Sequence, residues 1–141
     1  MSGLQPQTRS RDFPGTVAAA SDAEAWLVKE SRALGLAADA EFAINLCLEE
    51  VFLNAVQHGR ANRASVSIRT ERDVVRVEFV DDGVPYDPTV APVCRIEGPT
   101  LDFQNGGYGA GLLKQFSRRM SYRRDDGHNR LVLEFDANVG R

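Results

Sequence analysis

A carboxylate and an amide four residues apart on one helix can face the same cleft, and Glu50 and Asn54 have that spacing, with Gln57 and His58 following. Positions i, i+4 and i+7 lie nearly above one another, so residues 50, 54 and 57 share a face that borders the helix's apolar stripe. Taken alone, such a pair is most often a solvated polar edge. A second set, Val80-Asp81-Asp82-Gly83-Val84-Pro85-Tyr86-Asp87-Pro88, follows an apolar run. A carboxylate fixed at a strand end accepts a hydrogen bond from an exocyclic amine such as that of adenine, and Gly83 lets a ligand approach the backbone. Alone, this set reads as a plain Asp-Gly turn. The third set, Gly106-Gly107-Tyr108-Gly109-Ala110-Gly111-Leu112-Leu113, is a glycine-rich loop that opens into a helix. Its exposed N–H groups and the positive end of the helix dipole form an anion site suited to a triphosphate. It lacks the GK[ST] of a P-loop, and an antiparallel hairpin precedes it where a dinucleotide fingerprint would need a βαβ unit.

The elements that must position these groups follow from periodicity. Phe13, Pro14 and Val17 read as a short edge strand after a polar, mobile start over residues 1–12. Ser21 and Glu24 form a capping box and Gly35 a stop, which predicts a first helix over 21–34. Ile44, Cys47, Leu48, Val51, Phe52 and Ala55 make one apolar stripe on a second helix from near Asp39. Leu46 and Leu53 lie off the stripe, so that helix is expected to be covered on two sides. Val66 and Ile68, then Val75, Val77 and Phe79, form a hairpin about the turn Glu71-Arg72-Asp73. After a loop rich in glycine and proline, Leu112, Leu113, Phe116 and Met120 predict a third helix. A strand near 120–124, the turn Asp125-Asp126-Gly127 and a strand at Leu131, Leu133 and Phe135 complete the chain. The expected class is α+β: a two-layer α/β sandwich with helices on one face of a mainly antiparallel sheet.

Composition bounds the possibilities. A chain of 141 residues makes one domain, since domains commonly take about 100–150 residues. A formal charge of −3 argues against a broad nucleic-acid footprint, although Arg118, Arg119, Arg123, Arg124 and Arg130 make the last third locally basic. No run approaches the roughly 18–20 apolar residues of a membrane span, and the start lacks a signal peptide's apolar core, so a cytoplasmic protein with no membrane partner is expected. Cys47 and Cys94 fit no metal or redox spacing, and Cys47 reads as a buried thiol.

The three sets together, in this order and on these elements, resemble the GHKL or Bergerat nucleotide-binding fold shared by gyrase-type topoisomerases, heat-shock chaperones, histidine kinases and mismatch-repair ATPases. The matching patterns are Glu50 to Asn54-Ala55, Asp81-x-Gly83-x-Pro85, and Gly107-x-Gly109-x-Gly111. The short length, the Asn-Ala-x-x-His-Gly ending of the first pattern and Tyr86-Asp87-Pro88 after the second are similar to the bacterial anti-sigma-factor serine kinases. The resemblance spans about Phe13 to Phe135, within an ATP-binding domain over 13–137. It implies ATP and Mg²⁺ as cofactors, with Asn54 offering its amide oxygen to the metal and Asp81 reading the adenine amine. Glu50 is implied as the base for an attacking hydroxyl. Gly83, Pro85, Gly107, Gly109, Gly111 and Leu112 would shape the nucleotide site, and residues 89–106 would be a lid over the phosphates.

The implied function is phosphorylation of a serine on an anti-anti-sigma antagonist of STAS type, together with sequestration of a sigma factor. The resemblance also allows a homodimer, and no direct nucleic-acid contact is expected. Two departures stand out. Many relatives carry a threonine on the late strands that helps bind adenine, and Asn129-Arg130-Leu131-Val132 offers none. No basic residue lies within Gly106–Leu113; Lys114 follows it. A module that has lost useful kinase activity and only sequesters a partner is therefore the alternative. The catalytic domain of a histidine kinase is less favoured, because no helical hairpin with a phosphoacceptor histidine precedes residue 21.

Overall fold

The computed structural model describes residues 7–90 and 107–137. The elements run β1 (Gln7–Pro14), α1 (Val17–Ala33), α2 (Ala38–Gln57), β2 (Arg63–Glu71), β3 (Val74–Asp81), a 3-10 turn at Pro88–Val90, α3 (Gly107–Phe116), β4 (Arg119–Asp125) and β5 (His128–Asp136). That is the order expected from periodicity. Successive strand residues point to opposite faces, and the inward positions are the apolar ones. Val66 and Ile68 of β2, Val75 and Val77 of β3, and Leu133 and Phe135 of β5 are all buried. The strands pair antiparallel in the order β1-β2-β3-β5-β4. Leu27 of α1 and Ile44, Cys47, Leu48 and Phe52 of α2 close the core from the helical side. The result is the expected two-layer α+β sandwich.

Burying a leucine or phenylalanine side chain stabilises a fold by about 1.5–3 kcal/mol, so the α2 stripe is a main contributor. Leu48 is fully buried in it. Leu48→Ala should lower stability by about 2–5 kcal/mol, read as an earlier midpoint in denaturant unfolding. A midpoint unchanged from the parent would contradict this account of the core. Cys47 lies beside Leu48, and burial, followed by the charge of Glu50, pushes its thiol up to about 12. It is an inert core group at neutral pH.

Several boundaries differ from expectation, each for a local reason. The first helix starts at Val17, because Thr16 caps it: its hydroxyl accepts the Ala19 N–H at 3.1 Å. Ser21 and Glu24 lie inside the helix, and Gly35, with φ of 76°, follows its end as expected. Val17, expected on the edge strand, opens α1 instead. Residues 7–12, expected to be mobile, belong to β1, where the register pairs Gln7 with Thr70 and Asp12 with Ser65. Arg9 on that strand reaches Glu30 of α1 at 2.9 Å, tying the polar edge to the helical layer. Met120, expected on the third helix, sits on β4 opposite Leu133. The chain leaves α3 at Phe116 and is drawn into the sheet by Arg118, whose N–H donates to the Glu134 carbonyl. Residues 91–106 of the expected lid, with Cys94 and Gly106, lie outside the described residues.

Candidate functional site

A cleft of about 300 Å³ opens between the C-terminal half of α2, the end of β3, the start of β5 and α3. Its floor is apolar, from Val51, Leu113 and Leu131, and its polar side chains are few: Asn54, His58, Asp81, Tyr86, Tyr122 and Asn129. A mostly apolar cleft with a small set of convergent polar groups is the usual form of a small-molecule site.

Asn54 lies on the cleft wall, and its Nδ2 donates to Glu50 Oε2 at 2.8 Å. The i, i+4 spacing therefore produces a direct contact. A carboxylate only accepts, so this bond turns the amide nitrogen toward Glu50 and leaves the amide oxygen for the cleft. Glu50 is half-buried, and desolvation raises its carboxyl above the ordinary value, against the Asn54 hydrogen bond; the charge of Glu49 adds to the rise and that of His58 opposes it. A raised carboxylate is the better proton acceptor. Tyr86, at the mouth, has a phenol raised first by burial and then by the charges of Glu50 and Asp87.

The two adjacent aspartates divide their work. Asp81 ends β3 and lines the cleft. Its Oδ1 accepts the Gly83 N–H at 2.8 Å and the Asn129 amide at 3.1 Å. Asp82 turns the other way: its Oδ1 accepts the N–H groups of Asn62 at 2.7 Å and Arg63 at 3.1 Å. Slight desolvation works against it, but those backbone bonds and the charge of His128 hold its carboxyl below the ordinary value. Gly83 has a different task from the one expected. A Cβ there would stand 2.7 Å from the Gly59 carbonyl oxygen and 2.9 Å from Asp81 Oδ1, so glycine is required by the protein's own packing. Pro85 lines the cleft.

Gly107, Gly109 and Gly111 stand in the first turns of α3, where a loop had been expected. Glycine disfavours helix by about 1 kcal/mol relative to alanine, and burial of Leu113 against the core offsets this. Leu113, also on the cleft wall, places the glycine segment and Leu112 directly ahead of it along the helix. The first four N–H groups of any helix lack intrahelical partners, so the N–H groups of this segment are left to other acceptors.

Sequence reasoning passed over Asn129 and Tyr122. The available signal was the inward alternation Asn129, Leu131, Leu133, Phe135, in which one position is polar. Asn129 is 6% exposed and pairs in register with Asp81, so the late-strand position without a threonine presents an amide to the cleft.

An α+β sandwich in which a helix-borne amide, bonded to a carboxylate one turn earlier, lies across an apolar cleft from a strand-end aspartate defines the class of ATP-binding GHKL domains. Residues 13–135 match the histidine kinase-like ATPase domain, and the chain belongs to that family. It is also 31% identical over 134 residues to the serine/threonine-protein kinase BtrW of Bordetella bronchiseptica, covering 92% of this chain and 94% of the relative. An ATPase domain of this family implies ATP binding, and the relation supports kinase activity. Among the described residues, no helix is long and apolar enough to cross a membrane.

Proposed function

We propose that this chain is an ATP-dependent serine-protein kinase of the partner-switching kind. It phosphorylates a serine on a STAS-type anti-anti-sigma antagonist and sequesters a sigma factor. The observation that carries this reading is the Glu50–Asn54 contact beside the cleft, in a chain related to a serine/threonine kinase. In it, a carboxylate with raised proton affinity stands next to an amide whose oxygen has no hydrogen-bond partner among the described residues.

The donor set fits Mg²⁺. Among the described residues no group of three His, Cys, Asp or Glu side chains forms a ready cage, whereas Asn54 offers one hard oxygen. Mg²⁺ commonly takes one or two protein oxygens, keeps several waters and is completed by substrate phosphates. When bound, it offsets phosphate charge during transfer. Asn54 is the residue that would hold it.

Asp81 accepts the adenine amine and so orients the nucleotide. The N–H groups at the start of α3 receive phosphate oxygens. Glu50 takes the proton of the antagonist's serine hydroxyl as its oxygen bonds to the γ-phosphorus, the bond to the β-phosphate oxygen breaks, and ADP leaves. The cytoplasm is the compartment that supplies these partners.

A single-turnover assay with γ-labelled ATP and a STAS-type antagonist tests the reading. Label should appear on an antagonist serine and disappear when that serine is replaced by alanine. Tight ATP binding with no transfer to the antagonist would instead assign the chain as a nucleotide-dependent sequestering module.

A further inference from the structure

An amide side chain offers two donors and two acceptor lone pairs, and burying it is tolerable only when these are met. Asn129 meets them all. Its Oδ1 accepts from the Tyr122 hydroxyl at 2.6 Å, the Arg124 guanidinium at 3.2 Å and the Tyr86 N–H at 3.3 Å. Its Nδ2 donates to Asp81 Oδ1 at 3.1 Å and to the Val84 carbonyl at 2.8 Å. Three donors converge on the oxygen and two acceptors on the nitrogen, so the amide has a single orientation. A leucine here would simply continue the stripe of Leu131 and Leu133, and the polar residue needs another reason.

That reason lies in Asp81. The Gly83 N–H and the Asn129 amide both act on Oδ1, which fixes the plane of the carboxylate and leaves Oδ2 without a hydrogen bond among the described residues. Asn129 also fastens Val84 and Tyr86, while Arg124 donates to the Gly83 carbonyl at 2.7 Å. The stretch 83–86 is thereby held against β4 and β5 by side chains of those strands.

We propose that Asn129 is the positioning residue for base selection: it holds Asp81 so that one carboxylate oxygen is presented, as an acceptor only, to the nucleotide base. The inference rests on the reading of Asp81 as the adenine acceptor and assigns the device that makes it selective. Asn129 itself acts through Asp81.

Asn129→Asp tests this with almost no change of shape. One new oxygen keeps the three donors, and the other is turned on Asp81 Oδ1, acceptor against acceptor, so Asp81 must rotate or take up a proton. The dissociation constant for Mg·ATP should rise about tenfold or more, that for Mg·GTP should change less, and the ATP:GTP preference should fall at least about fivefold. Thermal melting reports whether the variant folds. Asn129→Ser, too short to span Asp81 and Val84 together, supplies the same comparison should the aspartate variant unfold. A loss of stability alone would leave the ratio of the two constants unmoved, so a folded variant with the parental ratio overturns the proposal. If the parent prefers ATP and the variants still do, only the role of Asn129 falls. If the parent shows no preference, the adenine reading of Asp81 falls with it.

Discussion

Glu50→Gln should bind Mg·ATP within about threefold of the parent and transfer phosphate to an antagonist roughly 10²–10⁴-fold more slowly, the usual contribution of a general base. Glutamine is the informative replacement because its amide oxygen can still accept the Asn54 Nδ2, now at 2.8 Å from Glu50. The orientation of Asn54 is kept and only the basicity is lost. Glu50→Ala would also release Asn54 and so mix two effects. The pH profile gives a second readout. The base must be ionised, so transfer is lost as pH falls through the Glu50 titration, and burial places that titration above the ordinary carboxylate range. The parent should therefore show an acid limb at higher pH than an exposed glutamate would give, and Glu50→Gln should lack it. Parental rates with the parental acid limb in Glu50→Gln would remove Glu50 from the chemistry.

What was legible from sequence is what depends on neighbours within one helix or strand. The α2 stripe from Ile44 to Ala55 reports a 3.6-residue period directly, and the same period brings Glu50 onto Asn54. The alternation in β2, β3 and β5 reports which face each strand buries. What was not legible depends on pairing across the chain. Asn129 meets Asp81 only because β5 lies beside β3 in one register, and a shift by a single residue would turn Asn129 to the opposite face. The start of β1 was missed because Thr8 and Ser10 carry no apolar signal; their order comes from backbone bonds to β2. The start of α3 was placed late because glycine propensity favours a loop, and packing of Leu113 overrides it. Thr16 was overlooked because a lone capping hydroxyl has less sequence signature than the Ser21–Glu24 pair.

The division between Asp81 and Asp82 shows why a repeated residue need not have a repeated role. Asp82 spends its oxygen on the N–H groups of Asn62 and Arg63, locking the turn that follows α2. The same turn carries Gly59, whose carbonyl accepts the Val84 N–H at 2.9 Å and against which Gly83 packs. The end of α2, with Asn54, and the end of β3, with Asp81, are thus joined by backbone contacts, and Gly59 and Val84 of that joint themselves line the cleft. On the function proposed above, this joint sets the distance between the metal-binding amide and the base-reading carboxylate.

Asp81→Asn should reverse the choice of base. The Gly83 N–H and the Asn129 amide both converge on Oδ1, so the new side chain must put its oxygen there and its NH₂ where Oδ2 stood. Those two hydrogen bonds survive, and the fold should melt near the parental temperature. The adenine 6-amino group, a donor, would then face a donor, and guanine, with a carbonyl at the same place, would find the hydrogen bond that adenine lost. Opposing like hydrogen-bonding groups in a partly buried site costs about 1–3 kcal/mol, so Mg·ATP should bind about tenfold or more weakly while Mg·GTP gains. Direct titration of both nucleotides against parent and variant measures the two changes. If both weaken equally, Asp81 contributes charge or packing without reading the base; if neither changes, the base lies elsewhere in the cleft. A crossing of the two affinities would mean that the position of a single proton donor, held in place from β5, decides which purine the cleft accepts.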